Sequence, residues 1–154
     1  MEQPVTFRFG KRSLDNLATV HCDMQILAHT ALAKSKVDFT VVEGLRTEQR
    51  QRELYGKGRD VTRLINAGYS VAEAERYAKP SESKVTNTLE SSHMSGKAID
   101  VYPYINGGVV VNPPQSAWDE IARAFRAAGA ATGVKYEWGG DWKSFIDRPH
   151  FELK

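Results

Sequence analysis

The sequence predicts an α+β fold: a small, mostly antiparallel sheet flanked by helices. Three observations predict it. Residues 13–33 and 112–131 carry apolar side chains at three- and four-residue spacing, four short stretches are β-branched or alternate with period two, and no repeat, linker or low-complexity tract interrupts the chain. A length of 154 residues normally makes one domain, so the expectation is a single domain over residues 1–154.

The first helix is expected over residues 13–33, with Ser13 as N-cap, Asp15 at the positive end of the dipole, and Leu14, Leu17, Val20, Met24, Leu27 and Ala31 as its apolar stripe. Phe39–Glu43 is short and β-branched, which predicts a strand closed by Gly44. A second helix over residues 48–55 ends at Gly56-Lys57-Gly58. Residues 61–67 and 71–78 read as two short helices broken by Gly68-Tyr69-Ser70 and stopped by Pro80, so residues 56–82 form a helix-prone excursion from the core. Residues 97–102 alternate, with Ala98, Asp100 and Tyr102 on one face and Ile99 and Val101 on the other. Asn112-Pro113 reads as N-cap and first residue of a helix to about residue 131, whose stripe is Trp118, Ile121, Ala122, Phe125 and Ala128. Residues 134–138 and His150–Leu153 complete the strands.

Composition narrows the partners. Twenty-one basic against 19 acidic side chains give a net charge of +2 with interspersed signs, and no basic face marks a nucleic-acid binder. The hydrophobic share of 41% and charged share of 26% are those of a soluble globular protein, and one cysteine, Cys22, forms no internal disulfide. The start of the chain has no apolar run for a signal-peptide core, and no stretch of roughly 18 apolar residues reads as a membrane span. The expectation is a monomer made in the cytosol, without stable membrane association.

Four histidines carry the chemical question. His21 and His29 lie about 12 Å apart along one helical pattern, and Cys22 and His29 about 10.5 Å, too far for either pair to share an ion. His93 sits in a turn of small residues, Ser91-Ser92-His93-Met94-Ser95-Gly96, that leads into the strand bearing Asp100. A turn at Ser95-Gly96 lets imidazole and carboxylate converge on one ion; otherwise Asp100 is a strand residue paired with a lysine and His93 a loop residue. In the last strand Phe151 and Leu153 point to one face, His150 and Glu152 to the other. His150 would complete the three protein ligands of a catalytic zinc site, and Asp147, across the proline turn, can reach the zinc-held water, whose pKa zinc lowers towards about 7. Glu152, Glu137 and Asp141 are rival bases.

Ser91-x-His93-x-x-Gly96-x-Ala98-x-Asp100, then Trp138-Gly139-Gly140-Asp141-Trp142, then Asp147-x-x-His150-Phe151-Glu152-Leu153, resembles the zinc peptidases that act as D-alanyl-D-alanine dipeptidases and carboxypeptidases. It is most similar to their phage branch, the L-alanyl-D-glutamate endopeptidases used as endolysins. Phe9-Gly10-x-x-Ser13-x-x-Asn16-Leu17, Asp38-Phe39 and Glu43-Gly44-Leu45-Arg46-Thr47 with Gln51 and Leu54-Tyr55 match that branch in order. The resemblance implies that His93, Asp100 and His150 bind one Zn²⁺ and that Asp147 is the catalytic carboxylate, where some members have glutamate. It implies that Arg46 stabilises the oxyanion, the plain alternative being a salt bridge to Glu43 or Glu48, and that Ser91 and Gln51 serve the substrate pocket. The implied substrate is the peptidoglycan stem peptide, cut between L-alanine and D-glutamate. The same site could cut D-alanyl-D-alanine, and a non-catalytic wall-binding domain could keep the same fold. Residues 56–82 exceed the shorter connection of the phage branch. Trp142 or Phe145 could wall a groove or belong to the core. A wall hydrolase made without an export signal would wait in the cytosol until a membrane pore releases it.

Overall fold

A computed structural model describes residues 6–154. The reading of the chain start as free of a signal segment rests partly on residues 1–5, which lie outside the described residues. In chain order the elements are α1 (Lys11–Leu17), α2 (Cys22–Lys34), β1 (Phe39–Glu43), α3 (Glu48–Gly56), α4 (Val61–Asn66), α5 (Val71–Tyr77), β2 (Ala98–Ile105), β3 (Gly108–Val109), α6 (Gln115–Thr132), β4 (Tyr136–Trp138) and β5 (His150–Leu153), with short 3-10 turns at Ser92–Ser95 and Gly139–Asp141. The chain divides into two compact units, Met1–Leu45 with Ser95–Lys154, and Arg46–Met94.

In the first unit the strands lie in the order β1-β2-β5-β4, with β3 paired to β2 and every pairing antiparallel. The α+β expectation holds. One face of the sheet is apolar: Val41, Ile99, Val101 and Phe151 pack with Met24, Leu27, Ala28 and Ala31 of α2 and Trp118, Ile121, Phe125 and Ala128 of α6. Phe151 stacks on Phe125 with ring centroids 3.8 Å apart. The alternation along β2 and β5 therefore sends Asp100, His150 and Glu152 to the other face.

The helix expected over residues 13–33 is two helices. Ser13 is no cap: it lies inside α1, buried, and its Oγ accepts from Val41 N at 2.9 Å. His21 caps α2, its Nδ1 accepting from Asp23 N at 3.1 Å, while His21 N donates to Gly96 O at 2.8 Å. The apolar spacing Leu17, Val20, Met24 runs straight through this break, which is why periodicity does not reveal it. The start of α6 also moves. Pro114 confines Pro113 to extended backbone, so the helix begins after the second proline, at Gln115. The β2–β3 hairpin was not expected, although Asn106-Gly107, both at positive φ, is the residue pair that favours such turns.

The second unit holds α3, α4 and α5 as expected, with Leu64, Tyr69 and Ala74 as a small apolar centre packed by Tyr55, Tyr77 and Leu89. Tyr69 OH donates to Arg52 O at 2.8 Å, and burial pushes the phenol up to about 12. Arg59 is buried over the Tyr55 ring and donates to Tyr55 O and Thr86 O at 2.7 and 3.0 Å. The excursion thus has an apolar centre of its own.

Phe151 is fully buried between Phe125 and Trp138. Phe151→Ala should cost about 3–5 kcal/mol of stability, read as a lower urea midpoint at unchanged slope. A loss below about 1 kcal/mol would mean that the two stacked rings do not anchor the sheet to α6.

Candidate functional site

Pairing register builds the centre of the first unit. Asp100 stands opposite His150 in the β2–β5 ladder, and His150 Nδ1 lies 3.3 Å from Asp100 Oδ1. On the other side of β2, Asp100 faces Glu43 of β1. That pairing exists because the register shifts between Val41 and Glu43, a bulge at Val42. In an unbulged strand of the same sequence Glu43 would share the apolar face with Val41; the bulge brings it into the row Glu43, Asp100, His150 across three strands. The His150 ring is held from two further sides. Its Nε2 lies 2.8 Å from Glu152 Oε1, so the N–H there donates to a carboxylate, and the Trp142 ring lies 5.2 Å away, tilted by 46°.

Asp147 reaches the same neighbourhood through a tight turn. Its N–H donates to Gly139 O at 2.9 Å, and its carbonyl accepts from His150 N at 3.2 Å. A Cβ at residue 139 would run into the Asp147 carbonyl, so the Trp138-Gly139-Gly140 segment admits this approach only with glycine there. Electrostatics places the carboxylates around one region. Burial pulls the His150 pKa down, but the hydrogen bond and charge of Asp100, the hydrogen bond to Glu152 and the charge of Asp147 outweigh it and raise the pKa above its ordinary value. Burial pushes the Tyr102 phenol up, and the charges of Asp100, Asp147 and Glu43 push it further. In the first unit a buried imidazole is therefore surrounded by acid, an arrangement suited to a cation.

The remaining expected residues belong to the second unit. His93, on the Ser92–Ser95 turn, is buried at 2% exposure, and its N–H donates to Ser91 Oγ at 3.2 Å. Arg46 N donates to His93 O at 2.9 Å, so the two residues are joined through backbone. The Arg46 guanidinium donates from Nη1 to Gln51 Oε1 at 2.8 Å. Gln51 is fully buried on α3, and its amide donates to Thr88 O at 2.7 Å and to Thr86 Oγ1 at 3.3 Å.

The structure thus brings Asp100, Asp147 and His150 together in one unit and ties Arg46, Gln51, Ser91 and His93 into one network in the other. Two residues were missed in their observed roles. Glu152 entered only as a rival base, yet it holds His150 Nε2. Its position two residues on, along the same strand face, was a readable signal. Glu43 entered only as a partner for Arg46, and no sequence pattern betrays the bulge that turns it to the polar face. Among the described residues a second possible ligand group, His21, Cys22 and Asp23, is exposed at the start of α2, where His21 serves as cap. Trp138 packs on the core; of the two aromatic residues left open between groove and core, Trp142 lies against His150, and Phe145, like Ile146, is exposed beside Asp147. A cavity of about 590 Å³ beside β4, walled by Arg126, Tyr136, Trp138 and Trp142 among others, is lined by none of the expected ligands.

A protein-family model for D-alanyl-D-alanine carboxypeptidases of peptidase family M15 matches residues 84–153, and one for phage L-alanyl-D-glutamate peptidases matches residues 5–65. The L-alanyl-D-glutamate peptidase of Escherichia phage T5 is 34% identical over 151 residues, 97% of this chain and 91% of that protein. The peptidoglycan L-alanyl-D-glutamate endopeptidase CwlK of Bacillus subtilis is 30% identical over 131 residues, 80% of this chain and 65% of that protein. Among solved structures, the Serratia marcescens L-Ala D-Glu endopeptidase ChiX matches with a TM-score of 0.71 at 35% identity, covering 97% of this chain and 91% of its own. No helix among the described residues is long and apolar enough to cross a membrane. The register-built acidic site and the near full-length likeness meet in one conclusion: this chain belongs to the M15 peptidases, in the L-alanyl-D-glutamate peptidase family.

Proposed function

We propose that this protein hydrolyses the L-alanyl-D-glutamate bond of the peptidoglycan stem peptide with one zinc ion held by His93, Asp100 and His150, the two units serving one catalytic domain. The observation that carries the reading is the pairing of Asp100 with His150 across β2 and β5, with Asp147 anchored beside them. Two buried imidazoles and a half-buried carboxylate are a donor set that suits zinc. Bound there, zinc supplies a Lewis acid that polarises the scissile carbonyl and acidifies water.

The chain's own residues do the rest. Asp147 takes the proton of the attacking water and returns it to the D-glutamate nitrogen as the bond breaks. Arg46 places its guanidinium against the developing oxyanion on the L-alanine carbonyl. Glu152 accepts from His150 Nε2, which fixes the ring and leaves Nδ1, on the Asp100 side, as the nitrogen that exchanges its proton for the ion. Ser91 lies near the bound peptide, Gln51 supports its pocket, and the exposed Phe145-Ile146 pair offers an apolar wall. The activities for which the relatives are named support the bond; the balanced charge supports a monomer whose partner is the wall polymer, neither nucleic acid nor membrane. The phage relative supports synthesis in the host cytosol and passage to the wall through a membrane pore at lysis. The match to a D-alanyl-D-alanine carboxypeptidase model over residues 84–153 favours a second reading, cleavage of the terminal bond.

Mass spectrometry of digested peptidoglycan separates the two. The first reading gives a new amino terminus on D-glutamate; free D-alanine as the product would replace it with the second. Asp147→Ala should keep zinc and fold while turnover falls by about 10²–10⁴-fold; turnover near that of the wild type would remove Asp147 as the base. Glu152→Gln should weaken zinc binding by about 10–100-fold in a competition titration against a chelating dye, and an unchanged affinity would leave Glu152 without this role.

Zinc affinity should depend on pH with a definite sign. Because the His150 pKa is raised, the proton competes with the ion up to that raised value, and affinity should fall roughly tenfold per pH unit below it. In the chelated protein the same shift acts on stability. Protonated His150 stabilises the fold fully below the ordinary value of 6.5, and the contribution disappears as pH rises through the raised one. The gap in Tm between wild type and His150→Gln, both chelated, should therefore narrow as pH rises from the ordinary imidazole value through the raised one. A gap that widens would contradict the acidic surroundings of the ring.

A further inference from the structure

We infer that Gln51 is a positioning residue that acts through Arg46, holding the guanidinium in the orientation the oxyanion requires without touching the substrate. The inference rests on the Arg46 role proposed above and specifies what sets its geometry. Gln51 is fully buried, which leaves no surface for a peptide, and every polar group of its side chain has a partner. Oε1 accepts from Arg46 Nη1 at 2.8 Å, and the amide nitrogen donates to Thr88 O at 2.7 Å and to Thr86 Oγ1 at 3.3 Å.

The two amide donors fix which way the side-chain amide is turned. With the nitrogen committed to the Thr88 carbonyl, the oxygen must face Arg46, so the flip that would oppose a donor to the guanidinium is excluded. The anchor points lie on the segment that leads to His93, and that segment is pinned again by Arg59, which donates to Thr86 O at 3.0 Å. Arg46 is held at its other end as well, its backbone N–H donating to His93 O at 2.9 Å. A long, flexible side chain is thus fixed at the backbone and at the guanidinium tip by one stretch of chain, residues 86–93. An arginine held in this way needs little rearrangement as charge develops on the carbonyl oxygen, the condition under which an oxyanion donor is most effective.

A double-mutant cycle on the zinc-loaded enzyme with a stem-peptide fragment tests this. Arg46→Ala should lower kcat by about 10²–10³-fold, the loss expected on removing one oxyanion donor. Gln51→Leu should lower kcat by about 10-fold or more with KM changed less than about twofold, and the double variant should be no slower than Arg46→Ala alone. Multiplicative losses in the double variant, or full kcat in Gln51→Leu, would overturn the inference while leaving the Arg46 role standing. Wild-type kcat in Arg46→Ala would overturn both. Thermal unfolding and zinc content are measured on every variant. Where Gln51→Leu does not fold, Gln51→Glu, which keeps an acceptor facing Arg46, carries the test: it should retain kcat within about threefold at reduced Tm. Loss of kcat as large as that of Arg46→Ala in a folded, zinc-loaded Gln51→Glu would overturn the inference.

Discussion

The first unit depends on the register of β5 against β2. That ladder places Phe151 opposite Ile99 on the apolar face and His150 opposite Asp100 on the polar face, so one set of backbone hydrogen bonds fixes both core and chemistry. A slip of one residue would exchange the faces, burying an imidazole and a carboxylate against α6 and exposing Phe151. The energy that resists the slip is the burial of Phe151 and its neighbours, and the direction of the His150 side chain is a by-product of that burial. The geometry of the polar face is here a consequence of core packing.

Around this pair the carboxylates come from different sources, and each is delivered by a different backbone device. Glu43 arrives by a bulge, Asp100 by alternation, Asp147 by a glycine-dependent turn and Glu152 by strand periodicity. Asp100, Glu152 and Asp147 together raise the His150 pKa against the opposing effect of burial. A protein that assembled so much negative charge without a cation would forfeit stability to self-repulsion, which is the physical reason this neighbourhood suits a bound cation.

How much of this the sequence disclosed follows from how local each signal is. β1 and β5, the stripe of α6, the pair of short helices in the excursion and the opposite faces of Asp100 and Ile99 were legible because periodicity and turn residues are local. The break between α1 and α2 was not, because Leu17, Val20 and Met24 keep helical spacing while the capping of His21 and its bond to Gly96 depend on tertiary structure. The same division runs through the site. The ligand candidates could be named from the order of motifs, whereas the roles of Glu152 and Gln51 required knowing which polar atoms meet. Ser13 illustrates the limit: a serine before an apolar run reads as a cap, yet it spends its hydroxyl on the backbone of β1.

The bulge at Val42 has a further consequence for how such a chain can change. An edge strand tolerates gains and losses of single residues in its loops, and here the strand itself absorbs one: the bulge takes up Val42, so that Glu43 emerges on the polar side of the sheet. Deleting Val42 would remove the bulge and leave Glu43 directly after Val41, still opposite Asp100 and, by simple alternation, still on the polar face. The constraint on β1 therefore lies on pairing and not on length: position 42 can change or be lost as long as Glu43 keeps its place opposite Asp100, whereas a residue that no bulge absorbs would turn the carboxylate towards Val41 and Val101.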